Sequence, residues 1–214
     1  MKTLTKTSLL TALALAGGLA ASASASISNA NYVSQPGLEG LGTFSAYVTY
    51  SYTSGTTASL SILLTNTSAL ANGGYITAIA VNPVGANSAS FVSCTDANFD
   101  GLGSGVSASP FGTFKTGAST SSSWLGGGAP QSGLAVGESA TFTFLLTGSA
   151  GDLAAQSAAT VLTRNDGKGM AIRFRGFENG GSDKVLGGGG SNIPGPAALA
   201  GLAMLGLVPS RRRR

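Results

Sequence analysis

Apolar and polar side chains alternate twice in succession between residues 44 and 64, and that period is the strongest constraint on what this chain can fold into. Phe44, Ala46, Val48, Tyr50 and Tyr52 fall on one side, with Ser45, Tyr47, Thr49 and Ser51 on the other. After Thr53-Ser54-Gly55-Thr56, the pattern resumes through Ala58, Leu60, Ile62 and Leu64. A repeat of two belongs to an extended strand, whose side chains point alternately to opposite faces. The two runs therefore predict a hairpin with one apolar face and an outer Thr/Ser face.

The same signal recurs further along. Ala71-Asn72-Gly73-Gly74 turns the chain into a strand from Tyr75 to Asn82, which Pro83 ends, and a shorter strand runs through Phe91, Val92 and Cys94. Phe111 to Lys115 begins the second half. Val136-Gly137-Glu138-Ser139 leads into Ala140, Phe142, Phe144 and Leu146, and Asn165-Asp166-Gly167-Lys168-Gly169 closes a hairpin into Met170, Ile172 and Phe174, the last clear strand. About eight short strands separated by Gly/Ser/Asn turns predict an all-β domain, an antiparallel β-sandwich of jelly-roll or Ig-like type. Helix is expected only at the two ends, as an N-terminal signal helix and a short C-terminal apolar helix. The segments 95–110 and 116–133 are expected to be long Gly/Ser-rich loops, which on a sandwich are either binding sites or merely tolerated excursions.

Charge narrows the function. The chain has 12 Lys and Arg against 8 Asp and Glu, and no His. Lys2, Lys6 and Arg211 to Arg214 hold half of the basic residues, so residues 7–210 carry six basic against all eight acidic side chains, a net of −2. The basic excess belongs to the ends, and no nucleic-acid partner is expected. The absence of His and the single cysteine, Cys94, remove most metal and nucleophile chemistry. No S-x-x-K motif surrounds Lys115, Lys168 or Lys184, and the carboxylates are scattered singly, so the domain is expected to be no enzyme.

Each end has its own design. Lys2 and Lys6 precede an apolar run from Leu9 to Ala20, followed by Ala21-Ser22-Ala23-Ser24-Ala25, which offers small residues to signal peptidase. Residues 1–25 are thus expected to be a signal peptide, cut after Ala25 or Ala23. At the other end, Ile193-Pro194-Gly195-Pro196 precedes an apolar run from Ala197 to Val208, then Pro209-Ser210 and four arginines. Prolines flanking a glycine hold an extended segment that a protease can take up. The apolar run can lodge in a bilayer while the arginines stay on the cytoplasmic side.

This tail resembles the sorting signal of PEP-CTERM proteins, which bacterial exosortases process. Pro194 and Pro196 correspond to the two prolines of the motif, Gly195 stands where the family usually has glutamate, and Arg211, Arg212, Arg213 and Arg214 correspond to the terminal basic cluster. The body is similar to domains that accompany such tails. That similarity lies in Ser119 to Gly128, in Gly137 to Phe144, and in Arg173 to Phe177 continuing through Gly181 to Val185. The resemblance implies export, transient anchoring in the inner membrane, and delivery to the cell envelope, surface or extracellular matrix. Signal peptidase and exosortase would be the partners on the way, with extracellular polysaccharide a candidate partner at the destination.

The expected organisation is a signal peptide (1–25), a β-sandwich domain (26–186), a flexible Gly-rich spacer (187–193) and a sorting tail (194–214). Two candidate sites remain inside the domain. Asp96, Asn98 and Asp100 with Gly101 make D-x-N-x-D-G, the first half of a calcium loop, although position twelve is Ser107 rather than glutamate; the alternative is an Asx-rich turn. Trp124, beside Leu125 and three glycines, is either an exposed platform for a sugar ring or an anchor that ties its loop to the core. No cofactor other than such a Ca2+ is expected. Arg173 and Arg175 are expected to pair with Glu178 or Asp183.

Overall fold

The computed structural model describes residues 26–193; the expectations at Ala23, Ala25, Pro194, Gly195, Pro196 and Arg211 to Arg214 lie outside them. The strands are β1 (Ser26–Val33), β2 (Phe44–Tyr52), β3 (Thr57–Asn66), β4 (Gly73–Val81), β5 (Ser88–Cys94), β6 (Asp100–Ser107), β7 (Thr113–Ser119), β8 (Ser139–Thr147), β9 (Met170–Phe177), β10 (Ser182–Leu186) and β11 (Ser191–Ile193). They form two antiparallel sheets, one ordered β11-β1-β2-β3-β8-β5 and the other β10-β9-β4-β7-β6. The molecule is a β-sandwich.

Its core follows from the alternation. Cross-strand registers place Tyr32, Ala46, Leu64 and Ala140 in one inward row, and Ala30, Val48, Ile62 and Phe142 in the next. Large side chains thus sit beside small ones. Ile76, Ile79, Val81, Met170, Ile172 and Phe174 from the second sheet complete the buried layer. Each of these larger aliphatic or aromatic side chains contributes about 1.5–3 kcal/mol by leaving water.

Several regions differ from the sequence expectation, which includes no strand at Ser26–Val33 or at Ser182–Leu186. The segment 95–110 is no long loop, because β6 occupies Asp100–Ser107 and pairs with β7. Its sequence, DGLGSGVS, has no alternation to reveal it, and the register shifts between Gly101 and Ser104. Gly101 is required there: a Cβ at that position would come within 2.9 Å of the Phe91 ring, so β5 and β6 approach closely at this edge of the sandwich. The strand expected from Phe111 begins later, at Thr113, and runs to Ser119.

The glycine run from 187 is no free spacer either. The Gly187 N–H donates to the Met170 carbonyl and the Gly188 N–H to that of Val33, at 2.9 and 2.7 Å, and β11 then adds to β1 at the edge of the first sheet. The β-structure therefore continues past residue 186. At the same side of the molecule the chain after β1 crosses to the second sheet, where Gln35 and Leu38 donate N–H groups to the carbonyls of Leu186 and Lys184 on β10. That crossing covers an edge strand that would otherwise offer unpaired backbone.

One end of the sandwich is closed by the connection between β8 and β9. It contains a single helical turn, α1 (Ala150–Ala154), started by the Ser149 hydroxyl accepting the Asp152 N–H at 3.1 Å. Core tyrosines hold this plug from within. The Tyr50 hydroxyl donates to the Leu153 carbonyl at 2.7 Å, and that of Tyr32 donates to Ala158 and Ala159 at 2.8 and 3.0 Å. Burial, and secondarily neighbouring Tyr52, pushes the Tyr50 pKa up to about 12.

Candidate functional site

At the turn after β5, Asp96 Oδ1 accepts the Asn98 N–H at 2.9 Å, which makes an Asx turn. Phe99 between the two aspartates is buried, edge-on to Phe142 with ring centroids 5.0 Å apart. Asp100 already belongs to β6, opposite Ser119. A carboxylate that the sequence pattern does not suggest, Glu138, lines the same open depression as Asp96, but its Oε2 accepts the Ala135 N–H at 2.8 Å. Among the described residues no three His, Cys, Asp or Glu side chains meet as a metal-binding group. The arrangement that Asp96, Asn98 and Asp100 do make is a turn that holds its own backbone.

Trp124 is an anchor and not an exposed platform. Its side chain is buried on the outer face of the second sheet with Ala78, Ala80 and Ala171, which lie on β4 and β9, and with Val106 and Phe114. Three alanines on neighbouring strands leave the depth that an indole needs. The indole N–H donates to the Ser109 carbonyl at 3.1 Å. Beyond it the chain is clasped by arginines: Arg173 Nη1 donates to the carbonyls of Trp124 and Gly126 at 2.7 and 3.0 Å, and Arg175 Nη1 to those of Gly126 and Gly128 at 3.3 and 3.2 Å. The expected ion pairs of Arg173 and Arg175 with Glu178 or Asp183 are not formed. A Cβ at Gly126 would force the Ser121 side chain to move aside.

Asp183 has a different partner set. Its buried carboxylate accepts four backbone N–H groups, from Glu39, Leu41, Gly42 and Lys184, at 3.0, 2.9, 3.0 and 2.7 Å. Burial pushes its pKa up, but the four donors outweigh that and hold it below the usual carboxylate value. It orders the crossing between β1 and β2. Lys115 likewise serves the backbone, donating to the carbonyls of Pro83 and Ala86. Burial, with Arg164 nearby, lowers its pKa. The half-buried Cys94 thiol is pushed up by burial and accepts the Asp96 N–H at 3.4 Å.

What remains open to solvent is the outer face of the first sheet. None of its six strands contains Asp, Glu, Lys or Arg. Registers align Asn31, Tyr47, Leu63 and Thr141 in one outward row, and Asn29, Thr49, Ser61, Thr143 and Ser93 in the adjacent one. Tyr47 and Leu63 are directly paired and are 40% and 41% exposed. They form an apolar step among hydroxyls, beside a shallow groove of about 350 Å³ bordered by Asn31, Val33, Ser45 and Thr65; Ile27, Val33 and Leu145 are further exposed apolar side chains in the outward register of this sheet. The outer Thr/Ser face was legible from the β2–β3 alternation; its extension over six strands depends on long-range pairing that no local pattern carries.

The chain matches no protein-family model, no curated protein and no solved structure. The sandwich and the chemistry of its faces are therefore what a functional reading has to rest on.

Proposed function

We propose that this is a non-catalytic surface or extracellular-matrix protein, exported through its N-terminal signal and sorted by an exosortase-type system through its C-terminal tail. The observation that carries the reading is the pair of end signals in one chain: Lys2, Lys6 and the small-residue site at Ala23 and Ala25 at one end, and Pro194-Gly195-Pro196, an apolar run and Arg211 to Arg214 at the other. The domain's own chemistry agrees with it. Asp96, Lys115, Glu138, Arg173, Arg175 and Asp183 are each engaged with backbone groups and fasten loops. The partners in transit are signal peptidase, the exosortase and, through the apolar tail, the inner membrane. Low charge and a hydroxyl-rich face suit a module that is displayed in a hydrated polymer.

Intact-mass measurement of the protein recovered from the surface of its native host tests this reading. The expected mass lacks residues 1–25 and the sequence after about Pro196. Surface-located protein that still carries Arg214 overturns the sorting step.

A further inference from the structure

We propose that the outer face of the six-stranded sheet binds a neutral polysaccharide, laid across β1, β2, β3 and β8 with Tyr47 as the stacking residue. This deepens the reading of the protein as a non-catalytic matrix component and rests on it for where the ligand is met. Charge decides against most other ligands. A face whose strands hold no cation has nothing with which to neutralise phosphate, sulfate or uronate groups, and nothing to draw an acidic peptide or an anionic lipid surface. It has no carboxylate to receive a basic partner either.

The side chains that are present favour a polyhydroxylated ligand over a second protein surface. Each Ser or Thr hydroxyl both donates and accepts, and each Asn amide does the same through two atoms. A sugar polymer offers this dual capacity at every residue without charge. Protein–protein interfaces are enriched in aromatic residues, Met and Arg and depleted in serine and in charge; this face shares with them Tyr47 and the lack of charge, but its abundant serine and its lack of Met and Arg set it apart. Part of the hydroxyl field is already paired, Thr49 to Asn29 at 2.9 Å and Thr65 to Ser139 at 2.8 Å. Ser45, Ser61, Thr143 and Asn31 make no side-chain hydrogen bond to protein among the described residues, so their capacity faces outward.

Tyr47 supplies the remaining requirement. Its ring, with Leu63 beside it, is the aromatic step on this face, and an aromatic face packs against the apolar face of a pyranose. The groove at Tyr47 runs beside this step, and the distance from β1 to β8 is about 14 Å at the usual strand spacing, room for a few sugar rings. The other aromatic that a sequence reading would nominate, Trp124, is buried.

Affinity electrophoresis of the intact protein through gels containing hydroxyethylcellulose, galactomannan or dextran, with dextran sulfate as the anionic probe, tests the assignment. Retardation by at least one neutral polymer, insensitive to added salt, is expected. Tyr47→Ala should weaken it about tenfold or more, Tyr47→Phe should retain it, and Thr143→Glu should weaken it while the melting temperature stays near that of the parent. Retardation by dextran sulfate alone, or by none of the polymers, overturns the proposal. So does retardation that Tyr47→Ala leaves unchanged. Concentration-dependent dimerisation lost in Tyr47→Ala, without glycan binding, would give the face to a second copy of the chain. Tail processing is read separately by mass, so glycan binding by protein that keeps Arg214 sinks the sorting reading alone, and loss of glycan binding by correctly processed protein sinks this one alone.

Discussion

The first sheet leaves Ser45, Ser61 and Thr143 to solvent with no charged residue on any of its strands, whereas the second hides its outer face under Trp124 and keeps Arg173, Arg175 and Asp183 in contact with backbone. The difference lies in what each sheet must hold. Strands β1, β2 and β3 are sequence neighbours paired side by side, and their ladders satisfy their own backbone. The second sheet supports long irregular connections, 35–43 and 120–135, whose carbonyls and N–H groups need partners of their own. Charged side chains reach across to provide them. In this molecule charge is a fastener for irregular backbone, and where no such backbone crosses a face the face stays neutral and free.

Asp183 is where that comparison can be broken most severely. Asp183→Ala would orphan three N–H groups of the crossing, those of Glu39, Leu41 and Gly42, together with that of Lys184 on β10, and should cost roughly 3 kcal/mol, read as a fall in the denaturation midpoint. The pH dependence follows with a definite sign. The folded pKa lies below the unfolded value of about 3.9, so this contribution is fully present above that value and is lost as pH falls through the folded pKa. The parent should therefore lose stability in acid more steeply than Asp183→Asn. Parallel acid profiles for the two would show that the carboxylate is not what holds the crossing.

Trp124→Ala comes next, with an expected loss of about 3 kcal/mol from an emptied indole site and an unpaired Ser109 carbonyl. Because the cluster lies on the outer face, amide hydrogen exchange should quicken in 120–135 and stay slow in β2 and β3. Uniform loss of protection would mean that the clasp and the main core are one cooperative unit. Tyr50→Phe is smaller, about 1 kcal/mol for the bond to Leu153. It carries a signature at the alkaline end: a folded pKa of about 12 against about 10 unfolded gives stability that is present below pH ~10 and falls as pH rises through the folded value. Tyr50→Phe should lessen that alkaline fall, and an unchanged alkaline profile would assign the fall to other groups.

The sequence shows some of this and conceals the rest for identifiable reasons. The strands β2, β3 and β8 are plain from alternation, because one buried face imposes it, whereas β9 alternates in size and polarity although both of its faces are covered. The β6 strand is hidden because DGLGSGVS pairs through its backbone with glycines admitted for close approach, and glycine carries no periodic signal. The β11 strand is hidden because three residues after a glycine run have no pattern at all, only a partner far away in sequence. Trp124 was visible as a residue of interest while its direction was not, since that depends on Ala78, Ala80 and Ala171 creating a recess on strands remote in sequence. The partners of Arg173 and Arg175 are concealed for a related reason: nearby carboxylates look like natural partners, but Asp183 already serves four amides.

The mildest substitution gives the sharpest contrast between the faces. Ser61 on β3 lies between Thr49 and Thr143 across the sheet, with no charge on either neighbouring strand. A lysine there can run its alkyl stem along the apolar step and keep its ammonium in water. Ser61→Lys should therefore change stability by no more than about 0.5 kcal/mol. Ala80→Lys places the same side chain on the outer face of the other sheet, where Ala80 is fully buried beside Trp124, and the stem and the indole cannot both be accommodated. It should cost several times more, about 3 kcal/mol, with exposure of the indole seen as a red shift in tryptophan fluorescence. Equal costs at the two positions would mean that the neutral face is packed as tightly as the clasped one, and a face packed that tightly has no surface left to offer a ligand.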